Sequence, residues 1–205
     1  MPTLPPAELM ETPLDTGKNY IIQVWMGIFR QTGSPHQTGL AMIGAKPGDS
    51  VLILGAGDPD FCAEIARVTG LNGRTLVADP APDVQERLEA AGGRAGSLVE
   101  SLVTPLHRLP PDLPPFDVAI VAAALAEVPD AERPGLVRTA VSALRSGGRL
   151  IVVDGRRRSG LFAGLRGGTA PLPESDIRRL IEATGIRAVR SLAIVDGIAY
   201  WEGRH

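Results

Sequence analysis

Short apolar runs alternate with amphipathic stretches along most of this chain, and the alternation predicts a series of buried strands joined by helices. Val51-Leu52-Ile53-Leu54 is a continuous apolar run, the signature of a strand buried on both faces, and the strand is placed at Ser50 to Leu54. Gly55-Ala56-Gly57 follows as a turn, and Asp58-Pro59 opens a helix to about Val68 that Gly70 and Gly73 punctuate. Arg74 to Ala78 is the second strand, ending in Asp79-Pro80. Asp83 and Glu86 have the spacing of a capping box for a helix to Ala91, with Gly92-Gly93 as its stop. A third strand is expected near Arg94 to Leu98, and a fourth over Phe116 to Val121. Pro134 to Leu144 is helical by period, Ser146-Gly147-Gly148 ends it, and Arg149 to Asp154 is a fifth strand. The tail breaks the rhythm: a helix from Glu174 to Thr184, then β-rich runs Ile186 to Val195 and Ile198 to Trp201 around Asp196-Gly197. A two-residue Asp-Gly connection is a hairpin signal.

Ahead of this body, Met1 to about Lys18 is rich in proline and acid and reads as an arm. Tyr20 to Arg30 has helical spacing, with Ile21, Ile22, Trp25, Ile28 and Phe29 on one face. Gln31 to Gln37 is a polar loop and Thr38 to Ala45 a short helix. Two regions result: an N-terminal arm and helical cap over 1–45, and an α/β domain over 46–205.

Composition narrows the function classes. A chain of 205 residues suits one main core, and a net charge of -2 with a pI near 5.9 gives no basic field for nucleic acid. Only Lys18 and Lys46 are lysine among 21 basic residues, an arginine bias that reads as base composition. The single Cys62 excludes an internal disulfide and a cysteine-rich metal site. Neither a secretory signal pattern nor an apolar run of roughly 18 residues is present, so a cytoplasmic protein is expected.

Strand, glycine turn and helix N-terminus in succession form a cradle for a nucleotide-type cofactor. Dinucleotides dock their pyrophosphate on free N–H groups at the positive end of the helix dipole. Here Asp58 and Asp60 bring negative charge, Pro59 removes a donor, and Asp60 stands where the third glycine of the dinucleotide fingerprint falls. An NAD-dependent oxidoreductase is therefore the less favoured reading, and it predicts a parallel terminal strand. His36, in the polar loop, is the candidate general base ahead of His107, while His205 is terminal. Trp25 and Phe29 are candidates for the wall of a substrate pocket. Arg156-Arg157-Arg158, leaving the fifth strand, is a candidate clamp for an anionic substrate, with peripheral membrane contact as its alternative.

The stretches Pro47 to Gly57, Asp79, Phe116 to Val121 and Leu144 to Asp154, with the terminal hairpin, resemble the class I S-adenosylmethionine-dependent methyltransferases. The small-molecule and quinone enzymes are the nearest flavour. The resemblance spans Lys46 to Glu202 and implies a seven-stranded, mostly parallel, doubly wound sheet with an antiparallel C-terminal hairpin. It implies S-adenosylmethionine as cofactor and a small molecule, apolar or anionic, as methyl acceptor. It places Gly55, Ala56 and Gly57 at the methionine end, and Asp79 with Pro80 at the ribose. Ser97, Leu98 and Ala122 fall where the family lines the adenine and the reacting sulfur. Three positions depart from the family pattern: Ile53 stands for an acid, Pro59 near a glycine, and Ser97 for an aspartate. Asp58 and Asp60 are candidates to hold the ammonium in their place. The departures keep a second reading open, a binding or scaffold protein without catalysis. Nucleic acid is not expected as a partner, and both monomer and homodimer stay open.

Overall fold

The computed structural model describes residues 36–122, 125, 128–155, 171–195 and 197–205. The chain divides into two units, 1–37 and 38–205, and the second carries the architecture. A short helix α1 (Gln37–Ile43) precedes β1 (Ser50–Leu54), α2 (Pro59–Thr69), β2 (Arg74–Asp79), α3 (Val84–Ala95) and β3 (Glu100–Val103). Then come β4 (Phe116–Val121), α4 (Arg133–Ser142), β5 (Leu144–Asp154), α5 (Glu174–Glu182), β6 (Arg187–Val195) and β7 (Ile198–Arg204).

The seven strands form one sheet in the order β3-β2-β1-β4-β5-β7-β6. The first five pair in parallel, while β7 runs antiparallel to both β5 and β6. The terminal strand is thus not the parallel one that the dinucleotide reading requires. Parallel pairing needs a crossover between successive strands, and the helices supply it on both faces. The period of two along each strand splits the core accordingly. Val51, Ile53, Val77, Val118, Ile120 and Ile151 face α1, α2 and α3 through Ile43, Cys62, Ile65, Val84 and Leu88. Leu52, Leu54, Ala119, Val121, Leu150 and Val152 face α4 and α5 through Leu136, Val137, Ile177 and Ile181. Alternate residues of β1 therefore enter different cores, and from Val51 to Leu54 neither face of that strand meets water.

Three expectations are corrected. The helix α3 does not stop at Gly92-Gly93 but continues to Ala95, and Gly96 (φ 65°) ends it in the left-handed conformation. Gly92 is buried where a Cβ would meet the Ser97 carbonyl oxygen at 2.8 Å, so it serves close packing rather than termination, while Gly93 is exposed with open space beside it. The third strand accordingly starts at Glu100, not Arg94. Asp83 makes no capping hydrogen bond; its carboxylate pairs with Arg87 one turn on. The arm at 1–18 and the amphipathic stretch 20–30 lie outside the described residues.

A carboxylate carries the outer hairpin. Glu202 on β7 is 3% exposed and takes Arg149 from β5 and Arg190 from β6. Burial pushes its carboxyl up, but the two guanidiniums outweigh burial and hold it below the ordinary value. A depressed carboxyl stabilises the fold above its unfolded value and loses that contribution as pH falls through the folded one.

Candidate active site

In a doubly wound sheet the ligand crevice opens at the carboxyl ends of the strands, where the order reverses. That point lies between β1 and β4, with β2 beside β1. The backbone leaves β1 through Gly55, whose N–H donates to the Ala78 carbonyl at 2.8 Å. Gly57 has φ 34°, and a Cβ on it would stand 3.2 Å from the Ala122 carbonyl oxygen. A side chain at 57 would be strained and would narrow the gap between the β1 and β4 ends. Ala122 is held there by its own N–H, which donates to the Leu54 carbonyl at 3.0 Å.

Asp79 closes the other side. One oxygen, Oδ2, accepts the Ala56 N–H at 2.7 Å, and Oδ1 accepts the Ala81 N–H at 2.8 Å. The carboxylate of β2 is thus aimed at the glycine turn of β1. A carboxylate offers about four acceptor positions, so two remain for a ligand's hydroxyls. Asp58 caps α2, accepting the N–H groups of Asp60 at 3.1 Å and Phe61 at 3.3 Å. Asp60 pairs with Arg94 of α3. Ile53 is fully buried in the sheet and offers nothing to a ligand. Pro80 is exposed at the rim.

Asp58, Asp60 and Asp79 outnumber Arg87 and Arg94 here, which leaves the notch electronegative, and a thiol lies beneath it. Cys62 is buried under the turn, its Sγ 3.5 Å from the Ala56 carbonyl oxygen. Burial first, then the charges of Asp58 and Asp79, push its pKa up to about 12. Since the thiolate is the reactive form, the folded protein is expected to resist alkylation by iodoacetamide across pH 7–10. In denaturant the same thiol should react at the ordinary rate. Rapid labelling of the folded chain at pH 8 would contradict this placement.

The structure brings together Gly55, Ala56, Gly57, Asp58, Asp79 and Ala122. It does not bring Ser97 and Leu98 to them. Both precede Glu100, which pairs with Leu76 inside β2, so they sit toward the amino edge of the sheet. The Ser97 hydroxyl donates to the Ala63 carbonyl of α2 at 2.8 Å, and Leu98 is exposed. The positions that do follow β3 are Thr104 to Leu106. Thr104 donates its N–H to the Asp79 carbonyl at 3.1 Å. Recognising Gly96 as the end of α3 would have found them. Trp25, Phe29 and Arg156 lie outside the described residues, and His36 belongs to the first unit. Two clefts of about 360 and 260 Å³ are lined by other residues, the first by His107 and the β3–β4 loop against α4, the second by Lys46, Arg145, Arg149 and Arg204. Among the described residues no group of acids, histidines and cysteine could hold a metal ion. No described helix is long and apolar enough to cross a membrane.

The geometry suits a cofactor with a cationic end and a diol: a turn whose one side chain, Ala56, is buried, an acceptor-only group beside it, and a negative field. Comparison with known proteins agrees. Residues 51–148 match the family described as a methyltransferase domain. The 2-phytyl-1,4-naphtoquinone methyltransferase of Synechococcus elongatus is 35% identical over 118 residues, which is 55% of this chain and 48% of that protein. The chain thus spans about half the length of the curated relatives it matches. Among solved structures, an S-adenosylmethionine-dependent methyltransferase of Aquifex aeolicus superposes with a TM-score of 0.63 at 18% identity, covering 87% of this chain and 96% of that one. Magnesium protoporphyrin IX methyltransferase of Synechocystis, solved with bound S-adenosylhomocysteine, superposes with a TM-score of 0.59 at 17% identity, covering 82% and 78%. Residues 51–148 thus match a methyltransferase domain, and the strand order with its terminal antiparallel hairpin gives this chain the fold of the S-adenosylmethionine-dependent methyltransferases.

Proposed function

We propose that this protein transfers a methyl group from S-adenosylmethionine to a small molecule, with the notch between β1, β2 and β4 as the cofactor site. The observation that carries the reading is the Asp79 carboxylate, fixed by the Ala56 and Ala81 N–H groups with acceptor capacity left over. In this reading Asp79 takes the ribose hydroxyls, the Gly55-Ala56-Gly57 backbone lies along the methionine end, and the Ala122 backbone borders the reacting sulfur. Thr104 to Leu106, which end β3, take the adenine-side place expected of Ser97 and Leu98. The cofactor supplies an electrophilic methyl group on a sulfonium. The chain's contribution is to hold donor and acceptor in line and to exclude water, since much of the acceleration of such a displacement comes from positioning. The electronegative notch favours a cation over a pyrophosphate, which supports the sulfonium cofactor against a dinucleotide.

For the acceptor, the naphtoquinone methyltransferase relative supports an apolar ring compound, and Arg156 an anionic group. Trp25 and Phe29 are the proposed pocket wall, and His36 the proposed base where the acceptor carries a proton. Titration calorimetry with S-adenosylhomocysteine tests the core of the reading. Binding is expected with a dissociation constant below about 1 mM, equivalent to more than about 4 kcal/mol. Absence of binding at that concentration would favour the non-catalytic reading instead.

A further inference from the structure

Asp154 is a fully buried carboxylate at the carboxyl end of β5, in the row of strand ends that borders the notch. Among the described residues no arginine or lysine is bonded to it. Its Oδ1 accepts the N–H of Leu125 at 2.6 Å, and its Oδ2 accepts the N–H of Leu172 at 2.6 Å. Both bonds are short for an N–H donor to oxygen. The two donors belong to different segments. Leu125 lies three residues beyond Ala122, on the chain leaving β4. Leu172 lies on the chain entering α5.

Leu125 is fastened from every side. Its side chain is fully buried, and its carbonyl oxygen accepts Nε of Arg133 at 2.7 Å. The same Nε reaches the Val128 carbonyl at 2.9 Å, so Arg133 gathers the turn that Asp154 holds from the other end. Leu172 is fastened beside Gly155, which has φ 101° and comes so close to the terminal hairpin that a Cβ on it would stand 2.5 Å from the Gly197 carbonyl oxygen. Burying a carboxyl group is costly unless its partners compensate, and here the partners are the backbone N–H groups of the buried Leu125 and the half-buried Leu172. A residue of this kind sets where chain segments lie more than it adds to apolar packing.

We infer that Asp154 is a positioning residue for the proposed cofactor site: by holding Leu125, it anchors the chain three residues past Ala122, whose carbonyl faces the glycine turn. The inference rests on the methyltransferase reading of that notch. Asp154 touches no notch residue, and its effect passes through Leu125 to Ala122, whose carbonyl faces Gly57. Asparagine cannot replace it cleanly, because its NH₂ group would meet one of the two N–H donors.

The test titrates S-adenosylhomocysteine into the full chain, into Asp154→Asn and into Asp117→Asn. Asp117 is the control: near the opposite edge of the sheet its carboxylate likewise accepts a backbone N–H, that of Ser50 at 2.8 Å, and pairs with Arg145. The expected result is wild-type affinity for Asp117→Asn and affinity at least tenfold weaker for Asp154→Asn. Amide exchange at Leu125 and Leu172 is expected to quicken in Asp154→Asn alone. Unchanged affinity in a folded Asp154→Asn overturns the inference, and so does an equal loss in both variants. Should Asp154→Asn fail to fold, Arg133→Lys withdraws the other hold on Leu125. Affinity weakened several-fold there supports the inference, and wild-type affinity overturns it. If the wild-type chain binds no S-adenosylhomocysteine, the methyltransferase reading itself fails. Amide exchange at Leu125 and Leu172 still shows separately whether the carboxylate holds both segments.

Discussion

An Asp79→Ala variant is expected to lose S-adenosylhomocysteine binding by a hundredfold or more and to unfold more easily. The two effects have separate origins. A hydrogen bond to a charged group contributes about 1.5–3 kcal/mol, so two ribose hydroxyls on one carboxylate come to ~3 kcal/mol or more, a factor above about 100 in affinity. The same carboxylate also satisfies the Ala56 N–H, on a fully buried residue, and the Ala81 N–H. Removing it orphans both donors, at about 1–3 kcal/mol for each that water cannot reach. Asp79→Asn keeps one acceptor oxygen and should fall between Ala and wild type in both measurements. Calorimetric titration and urea unfolding read the two effects independently. A folded Asp79→Ala variant that binds the nucleoside as tightly as wild type would remove the ribose role, and with it the central support for the cofactor site.

The largest effect on stability is expected at the other end of the molecule. Trp201 on β7 is 2% exposed and packs into the core shared by α4 and α5, with the Arg178 guanidinium 5.4 Å above its ring. Truncating a buried tryptophan to alanine costs about 3–5 kcal/mol, and the lost cation–π contact adds roughly 0.5–1 kcal/mol. Against a typical total of about 5–15 kcal/mol this is about a quarter or more of the stability. A domain of this size loses about 2–4 °C of Tm per kcal/mol, so a drop of roughly 10 °C is expected for Trp201→Ala. Leu71→Ala is the internal comparison, because Leu71 is 89% exposed. Its change should stay within about 0.5 kcal/mol. Equal melting of the two variants would mean that the hairpin is not integral to the core.

Trp201 also illustrates what local patterning can and cannot reveal. The hairpin at Asp196-Gly197 was legible because a two-residue turn restricts the backbone to few conformations, and Val195 indeed pairs with Ile198. That β7 inserts between β5 and β6 is a non-local fact that no short stretch announces. The same contrast runs through the candidate site. Gly55, Gly57 and Asp58 were legible because turn and cap chemistry act over a few residues. Asp58 does cap α2, with Pro59 in its first turn. Gly92 is ambiguous in sequence for the complementary reason. A glycine chosen for close packing looks the same in sequence as one chosen to end a helix, and only the nearby Ser97 carbonyl tells them apart. The error moved β3 by several residues and carried Ser97 and Leu98 toward the wrong edge of the sheet.

By itself, then, the order of residues determined where the chain is buried, where it turns, and that parallel strands must alternate with helices, since these depend on periodicity and on φ restrictions within a few residues. Only the tertiary structure decided which ends meet. It aimed the Asp79 carboxylate at the Ala56 N–H 23 residues earlier, and gave the buried Asp154 its donors 29 residues before and 18 residues after it. Such pairings are chosen by the need to satisfy a buried charge with whatever donors the packed sheet brings near, and that need has no signature along the chain.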